Sequence, residues 1–377
     1  MKLVLWTNML AIHRSADMRA LAQMGHDVTV VAGCEVIGAR RTLGWSVPDV
    51  APARTIVDPS AETIDRLSTM NDNDTVHLIG GLKSRTLGRG AFEACRKAGT
   101  RIALGCEGGD PRGIKGLARR MVHAADRVRF GKDVDFMLAM GRNGVTWYRK
   151  RGWPADKVFN YAYTTEKPAT VPSEHGNSSA GSHFRIAYLG QLIHRKGVDV
   201  LIKAFGRLRT HDSEFLVIGD GPLRGEYERL ASHHGIGSRT VFLGAMANQA
   251  ALCQLADSDV LVLPSRFDGW GAVVNEALMR GVPVVCSDRC GASDLVAAPW
   301  RGEVFQSGSV SALTDALEKW IARGKKTPEA SERIKAWSHC IEGQSVAAYF
   351  LDVVSASAGL RPRPTPPWLC EGNSSRH

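Results

Sequence analysis

No two of the 8 cysteines form a Cys-x-x-Cys pair; Cys34, Cys95, Cys106, Cys253, Cys286, Cys290, Cys340 and Cys370 are scattered over 377 residues. A chain long enough for two ordinary domains needs no covalent staples, so reduced thiols in a cytoplasmic protein are expected and a metal site is not. No apolar run approaches the roughly 18–20 residues that a bilayer-spanning helix needs. A secretory leader is not expected either. Met1–Trp6 has one lysine, its apolar stretch is broken by Thr7 and Asn8, and no small-residue cleavage site precedes a charged helix beginning at His13. Acidic side chains are the scarcer charge, 38 against 48 Lys and Arg, for a formal net charge of +10. With 44% hydrophobic and 23% charged residues, wholesale disorder is excluded.

The cationic excess suits an anionic partner, or is simply a basic surface. It is densest over 112–132, where Arg112, Lys115, Arg119, Arg120, Arg127, Arg129 and Lys132 meet Asp126 alone. Ile114, Leu117, Met121, Ala125 and Val128 recur there at steps of three and four, a helical stripe. Such a helix can lie on an anionic membrane surface, or it can pack its stripe on its own domain and leave the charges in water. Aromatic residues do not interleave the cluster and no nucleic-acid module is recognisable, so nucleic acid is not an expected partner.

Short apolar runs alternate with helical patterns throughout. Lys2–Trp6, Asp27–Val31, Thr55–Val57, Thr75–Ile79, Arg101–Leu104 and Phe136–Met140 read as strands of a first α/β doubly wound domain over 1–165, with a helix over Ser15–Met24. A Pro/Ser/Gly/Asn stretch over 166–182 reads as a linker. The alternation restarts with Phe184–Leu189, Phe215–Ile218, Val241–Leu243, Val260–Leu263, Val282–Cys286 and Glu303–Phe305, giving a second domain over 183–343. A helix over 344–356 is expected to pack back on the first domain, and 357–377 is expected to be a disordered, proline-rich tail.

Ligands of doubly wound sheets bind beyond the carboxyl ends of the strands. Four post-strand segments of the second half carry unusual residues. In Gly190-Gln191-Leu192-Ile193-His194-Arg195-Lys196-Gly197 two cations precede a helix start. The helix dipole disfavours cations there unless a phosphate lies between. Gly219-Asp220-Gly221-Pro222 follows a strand, where glycines permit close approach of a ligand; with Gly225 it is a weak relative of a dinucleotide fingerprint. In the segment from Pro264 to Leu278, Asp268 sits in a loop with Gly269, Trp270 and Gly271, and Glu276 stands about a turn into a helix. A carboxylate on that apolar stretch needs hydroxyl or amide partners, which sugar and ribose hydroxyls supply. Ser287–Ala292 is the fourth.

This assembly resembles glycosyltransferase family 4, retaining enzymes of the GT-B type with two tandem Rossmann-like domains and an interdomain cleft. The family signature is acid-x(7)-Glu, matched by Asp268 and Glu276, preceded by Gly-Arg-x(4)-Lys-Gly and Gly-x-Gly-Pro. The resemblance covers about 183–340; the first half matches in architecture only. It implies that Glu276 binds the donor ribose, that Asp268 binds the transferred sugar, and that Lys196 neutralises the departing diphosphate. Gly219–Pro222 and Gly244–Met246 would line the base. Two departures stand out: Asp268 replaces the commoner Glu, and Gln191 replaces the usual Arg, for which Arg195 is expected to substitute.

The implied activity moves a hexose from a nucleoside-diphosphate sugar to a saccharide or polyprenyl-linked acceptor, in envelope or extracellular polysaccharide synthesis at the cytoplasmic membrane face. No cofactor and no essential metal are expected, and the three acid-x-acid triplets read as chance. Asn8, His13 and Glu107 are the acceptor-side candidates, Glu107 also as a catalytic group; for a lone His or Glu in a loop, a structural role is equally open. The alternatives are an NAD(P)-dependent dehydrogenase, on Gly219, Gly221 and Gly225, and a non-enzymatic anion-binding protein.

Overall fold

Thirteen strands among the described residues form two parallel sheets. The computed structural model describes residues 1–36, 38, 47–71, 74–82, 86–168, 183–210 and 212–370. Most of the expected linker, 169–182, lies outside them. Met1–Glu166 with Cys340–Glu371 forms one unit, and Lys167–His339 forms the other.

The first unit holds β1 (Lys2–Thr7), β2 (Asp27–Ala32), β3 (Arg54–Val57), β4 (Thr75–Ile79), β5 (Ile102–Cys106), β6 (Phe136–Met140) and β7 (Val158–Tyr161), in the order β3-β2-β1-β4-β5-β6-β7. Central β1 pairs Leu3 with Val28 on one side and Val76 on the other. Leu3–Trp6 are all buried, because helices cover both faces of a parallel sheet. The helix Leu87–Ala98 illustrates the covering layer. Its N-cap Thr86 accepts from the Arg89 amide, and Gly99 ends it at a φ of 68°. Arg96 and Lys97 in the last turn suit the dipole. It buries Gly88, Ala91, Phe92 and Cys95, one face at steps of three and four. Fully buried Phe92 stabilises this contact by about 2–3 kcal/mol, and Phe92→Ala would cost about 3–5 kcal/mol.

Strand β7 has no counterpart among the expected strands. Its four residues include Asn160, and so short a run carries little periodicity.

The helix Gly343–Ser357 packs on the helix Ile12–Gln23 so closely that a Cβ at Gly343 would overlap the Ala16 carbonyl oxygen. Tyr349 donates to the Asn160 carbonyl at 2.9 Å, and Arg101 donates to the Val354 carbonyl at 2.8 Å. The expectation of a disordered tail from 357 onward is corrected for 357–370. Trp368 is 1% exposed and lies edge-on to Tyr349 at 5.5 Å. Arg363 donates to the Ala155 and Asp156 carbonyls at 3.0 and 3.1 Å and covers the Phe159 ring. Prolines lower the conformational entropy lost on ordering, so these few anchors suffice. Residues 371–377 lie outside the described set.

The second unit holds β8 (Phe184–Leu189), β9 (Ser213–Ile218), β10 (Thr240–Gly244), β11 (Val260–Leu263), β12 (Val284–Ser287) and β13 (Gly302–Phe305), in the order β10-β9-β8-β11-β12-β13. Its core runs from Ile186, Tyr188 and Val198 through Phe205, Phe215 and Val262 to Leu317 and Trp320.

Candidate functional site

In the second unit the strand order reverses between β8 and β11, the switch point where such sheets bind ligands. After β8 the chain passes Gly190, Gln191 and Leu192, makes a tight turn over His194–Lys196, and enters the helix Val198–Phe205. After β11 it runs through Ser265–Gly271 into the helix Val273–Leu278. Arg266 ties these segments together. Its backbone amide donates to the Arg195 carbonyl at 2.9 Å, and its guanidinium grips Asp199 through two contacts of 2.6 Å. Neither Arg266 nor Asp199 was expected as a site residue; their partnership joins residues too distant in sequence to be read locally.

That strut brings the charged groups together. Lys196 Nζ lies 2.5 Å from Asp268 Oδ2, and Arg195 Nη1 lies 3.5 Å from Asp268 Oδ1. Arg195 also donates to the Phe267 carbonyl at 3.0 Å, and the Ser265 hydroxyl to Asp268 Oδ2 at 3.3 Å. The Asp268 backbone is fixed by Arg289 and Gly291 at 3.0 and 3.1 Å. Burial alone would push the Asp268 carboxyl up; Lys196, Arg195 and Ser265 hold it below its ordinary value. Arg195 thus stands beside Lys196, where two cations face one carboxylate.

Glu276 is half-buried in the first turn of its helix, and its carboxylate makes no hydrogen bond among the described residues. Burial raises its pKa, with Arg280 opposing. A carboxylate in that setting is suited to hydroxyl donors.

Two expectations need correction. Trp270 is 2% exposed and its indole N–H donates to Asn275 Oδ1 at 2.8 Å, so its side chain is engaged in bracing the loop. Flanking Gly269 abuts Gly291, and Gly271 abuts Leu263 and Cys290. Second, the room left by Gly219 and Gly221 is taken by protein. A Cβ at Gly219, whose φ is 129°, would overlap the Gly190 carbonyl oxygen, and one at Gly221 would lie 2.6 Å from that of Leu192. These glycines let two loops interlock, with the Leu192 amide donating to the Asp220 carbonyl at 2.9 Å. Gly244 joins the same assembly by accepting from the Gly219 amide at 2.9 Å, and Met246 is half-buried against Leu216 and Ile218.

In the first unit the reversal falls between β1 and β4, and there a cavity of about 230 Å³ opens at the carboxyl ends of the strands. His13 and Glu107 line it; Asn8 does not, being exposed while its neighbours Thr7 and Met9 form the wall. The His13 and Tyr163 rings stack at 6.0 Å, and the Tyr163 hydroxyl bonds Glu107. Arg14, also lining the cavity, donates through Nε to fully buried Asp17 at 2.9 Å. Asp17 accepts from Tyr161 and Thr164 as well, at 3.2 and 3.1 Å. Burial still leaves the Asp17 carboxyl above its usual value. Arg14 and Asp17, one helical turn apart after the first strand, were overlooked; their opposite charges at i,i+3 spacing were the available signal.

The helix Gly113–Phe130 buries Gly116 and Phe130 and turns its apolar stripe outward. Ile114 is 88% and Val128 85% exposed, with Leu117, Met121 and Val122 also exposed. The alternative that this stripe packs on its own domain is therefore set aside. Among the described residues no cluster of three or more His, Cys, Asp or Glu could hold a metal ion, and no helix is long and apolar enough to cross a membrane.

Residues 175–337 match the family model for glycosyl transferases group 1. The chain is 27% identical over 198 residues to alpha-D-kanosaminyltransferase of Streptomyces kanamyceticus, covering 49% of this chain and 50% of that one. It is 29% identical over 162 residues to a GDP-mannose-dependent alpha-(1-6)-phosphatidylinositol monomannoside mannosyltransferase of Mycolicibacterium smegmatis, covering 41% and 42%. These alignments span about half or less of either relative. Among solved structures, Anabaena HepE in complex with UDP superposes with a TM-score of 0.69 at 17% identity, covering 94% of this chain and 100% of that one. The apo form of the lipopolysaccharide outer core galactosyltransferase WaaB gives a TM-score of 0.67 at 16% identity, covering 94% of this chain and 99% of that one. Both likenesses establish the fold, two Rossmann-like α/β domains.

Proposed function

We propose, from a second unit whose sequence matches the family model for glycosyl transferases group 1, that this chain is a retaining glycosyltransferase. It moves a hexose from a nucleoside-diphosphate sugar to a saccharide or lipid-linked acceptor, in envelope or extracellular polysaccharide synthesis. One observation carries the reading: Lys196, Arg195 and Asp268 converge at the switch point of the second sheet, on loops locked by Arg266. When the bond from the sugar C1 to the phosphate oxygen breaks, negative charge builds on the leaving diphosphate. Lys196 and Arg195 are the groups to stabilise it. Asp268 would hold hydroxyls of the transferred sugar, and Glu276 those of the ribose. The acceptor oxygen bonds C1 on the face that the diphosphate leaves, and its proton passes to a phosphate oxygen. No metal is required in this scheme.

The UDP bound by the HepE neighbour and the GDP-mannose dependence of the mycobacterial relative support a nucleoside-diphosphate hexose as donor. A dehydrogenase reading is weakened, because the space beside Gly219 and Gly221, two of the three glycines behind it, is filled by the Gly190–Leu192 loop. His13 and Glu107 line the first-unit cavity and are the acceptor-side groups. The outward stripe of Gly113–Phe130, flanked by Lys115, Arg119, Arg120 and Arg129, would bring the protein to an anionic lipid surface at the cytoplasmic face. A thermal-shift screen of nucleotide-sugars tests the donor assignment, since a ligand of the folded state raises its apparent stability. Loss of turnover in Lys196→Ala and Glu276→Ala supports the site; unchanged turnover in both overturns it.

A further inference from the structure

The first-unit cavity is unusual in its lining. Leu5, Leu10, Met18, Val30, Leu78 and Met140 supply an aliphatic and thioether wall. Into it reaches the Arg14 guanidinium, whose side chain is 12% exposed. Only its Nε makes an aligned hydrogen bond among the described residues; Nη2 is buried without one, although it lies 2.9 Å from Asp17 Oδ2. On its far side Arg14 Nη1 faces Gly105, where a Cβ would sit 3.6 Å away in ordinary contact. A guanidinium holds five N–H donors, and donors buried beside an apolar wall call for oxygen acceptors. Asp17 has little acceptor capacity left for the remaining donors, since it already accepts from Arg14 Nε, Tyr161 and Thr164.

We propose that this cavity seats the acceptor, and that the acceptor is an alcohol with an apolar ring or chain as its body and an oxyacid group read by Arg14. The proposal rests on the glycosyl-transfer reading and narrows it. Away from the polar rim a plain saccharide would set hydroxyls against these aliphatic and thioether side chains, which offer no partner, while the Thr7 and Ser15 hydroxyls already donate to the Met9 carbonyl and Glu166. An apolar body loses nothing there and gains by leaving water. The reacting hydroxyl then belongs at the polar rim, where His13, Tyr163 and Glu107 gather.

Calorimetric titration of the full chain tests this with three probes: trans-4-hydroxycyclohexanecarboxylate, quinate (the same ring and carboxylate, with hydroxyls around it) and cyclohexanol. The hydroxycyclohexanecarboxylate should bind at least about tenfold more tightly than either of the others. Gly105→Val, which places methyl groups beside Arg14 Nη1 on a strand that accepts β-branched residues, should abolish that binding and leave nucleoside-diphosphate binding intact. Arg14→Gln combined with Asp17→Asn, which removes the buried ion pair as a whole, should erase the advantage over cyclohexanol. Quinate binding as tightly, no binding of any probe, or binding unaffected by Gly105→Val would overturn the proposal. If nucleotide-sugars bind while the hydroxycyclohexanecarboxylate does not, this inference alone fails; if nucleotide-sugars do not bind, the glycosyl-transfer reading fails.

Discussion

The two units share one strand plan, with the first strand central and the order reversing beside it, yet they use the switch point in opposite ways. In the first, side chains line a cavity and a buried Arg14–Asp17 pair lies alongside. In the second, glycine loops interlock backbone to backbone, and the charged groups Lys196, Arg195 and Asp268 gather on top of them. Packing backbone against backbone leaves little freedom to the groups it carries, which suits charges that must meet a developing charge with small reorganisation. A side-chain-lined cavity is the more variable device, because each wall residue can change size without moving the sheet.

The contrast can be broken most severely at Lys196. Lys196→Gln removes the charge that faces Asp268, and turnover of a nucleotide-sugar should fall about 100-fold or more. The partly uncompensated Asp268 carboxylate should lower the melting temperature, with the protein still folded at the assay temperature. A matched pair of glycine substitutions comes next. Gly219→Ala should destabilise the second unit by about 3 kcal/mol, since its Cβ meets the Gly190 carbonyl at a positive φ. Gly105→Ala in the first unit, with only ordinary contacts at 3.6 Å, should stay within about 1 kcal/mol of the parent in denaturant unfolding. Equal losses in the two would erase the distinction between interlocked loops and an open wall.

Glu276→Gln should weaken donor binding by about tenfold in titration calorimetry while leaving the fold as stable, because it removes a buried charge that lacks a hydrogen-bond partner. On the first unit, Ile114→Ser with Val128→Ser should lower co-sedimentation with phosphatidylglycerol vesicles by about tenfold, the transfer value of two partly immersed aliphatic side chains.

The smallest effect concerns His77. Its Nδ1 accepts from the Trp6 indole at 3.2 Å, so Nε2 carries the proton and donates to the Met70 carbonyl at 3.1 Å. Burial holds its pKa below the ordinary value. The unfolded chain therefore takes up the proton first as pH falls, and this contribution, fully present above about 6.5, is lost progressively below it. Melting temperature should drop more steeply between neutral and mildly acidic pH in the parent than in His77→Gln.

Strands were legible wherever burial on both faces wrote a continuous apolar run, as in Thr75–Ile79, Phe136–Met140, Phe184–Leu189 and Val260–Leu263, which keep their expected bounds. The spacing of Asp268 from Glu276 was legible too, as a loop followed by one helical turn. What failed depends on residues distant in the chain. The neighbour that occupies the space beside Gly219 comes from another strand's loop. Trp270 in a glycine-rich loop reads as a ligand contact until its burial and its bond to Asn275 are known. The proline-rich tail reads as disordered because its anchors, Tyr349 and the carbonyls that Arg363 meets, lie elsewhere in the first unit.

The central claim is that charged groups on the interlocked loops of the second unit stabilise a departing nucleoside diphosphate. It is tested most directly by release of nucleoside diphosphate from a panel of nucleoside-diphosphate hexoses, measured for the parent chain and for Lys196→Gln. The account predicts release from at least one donor by the parent and a loss of about 100-fold in the variant, assayed where circular dichroism shows both proteins folded. Equal rates in the two proteins, or no release from any donor, would contradict it.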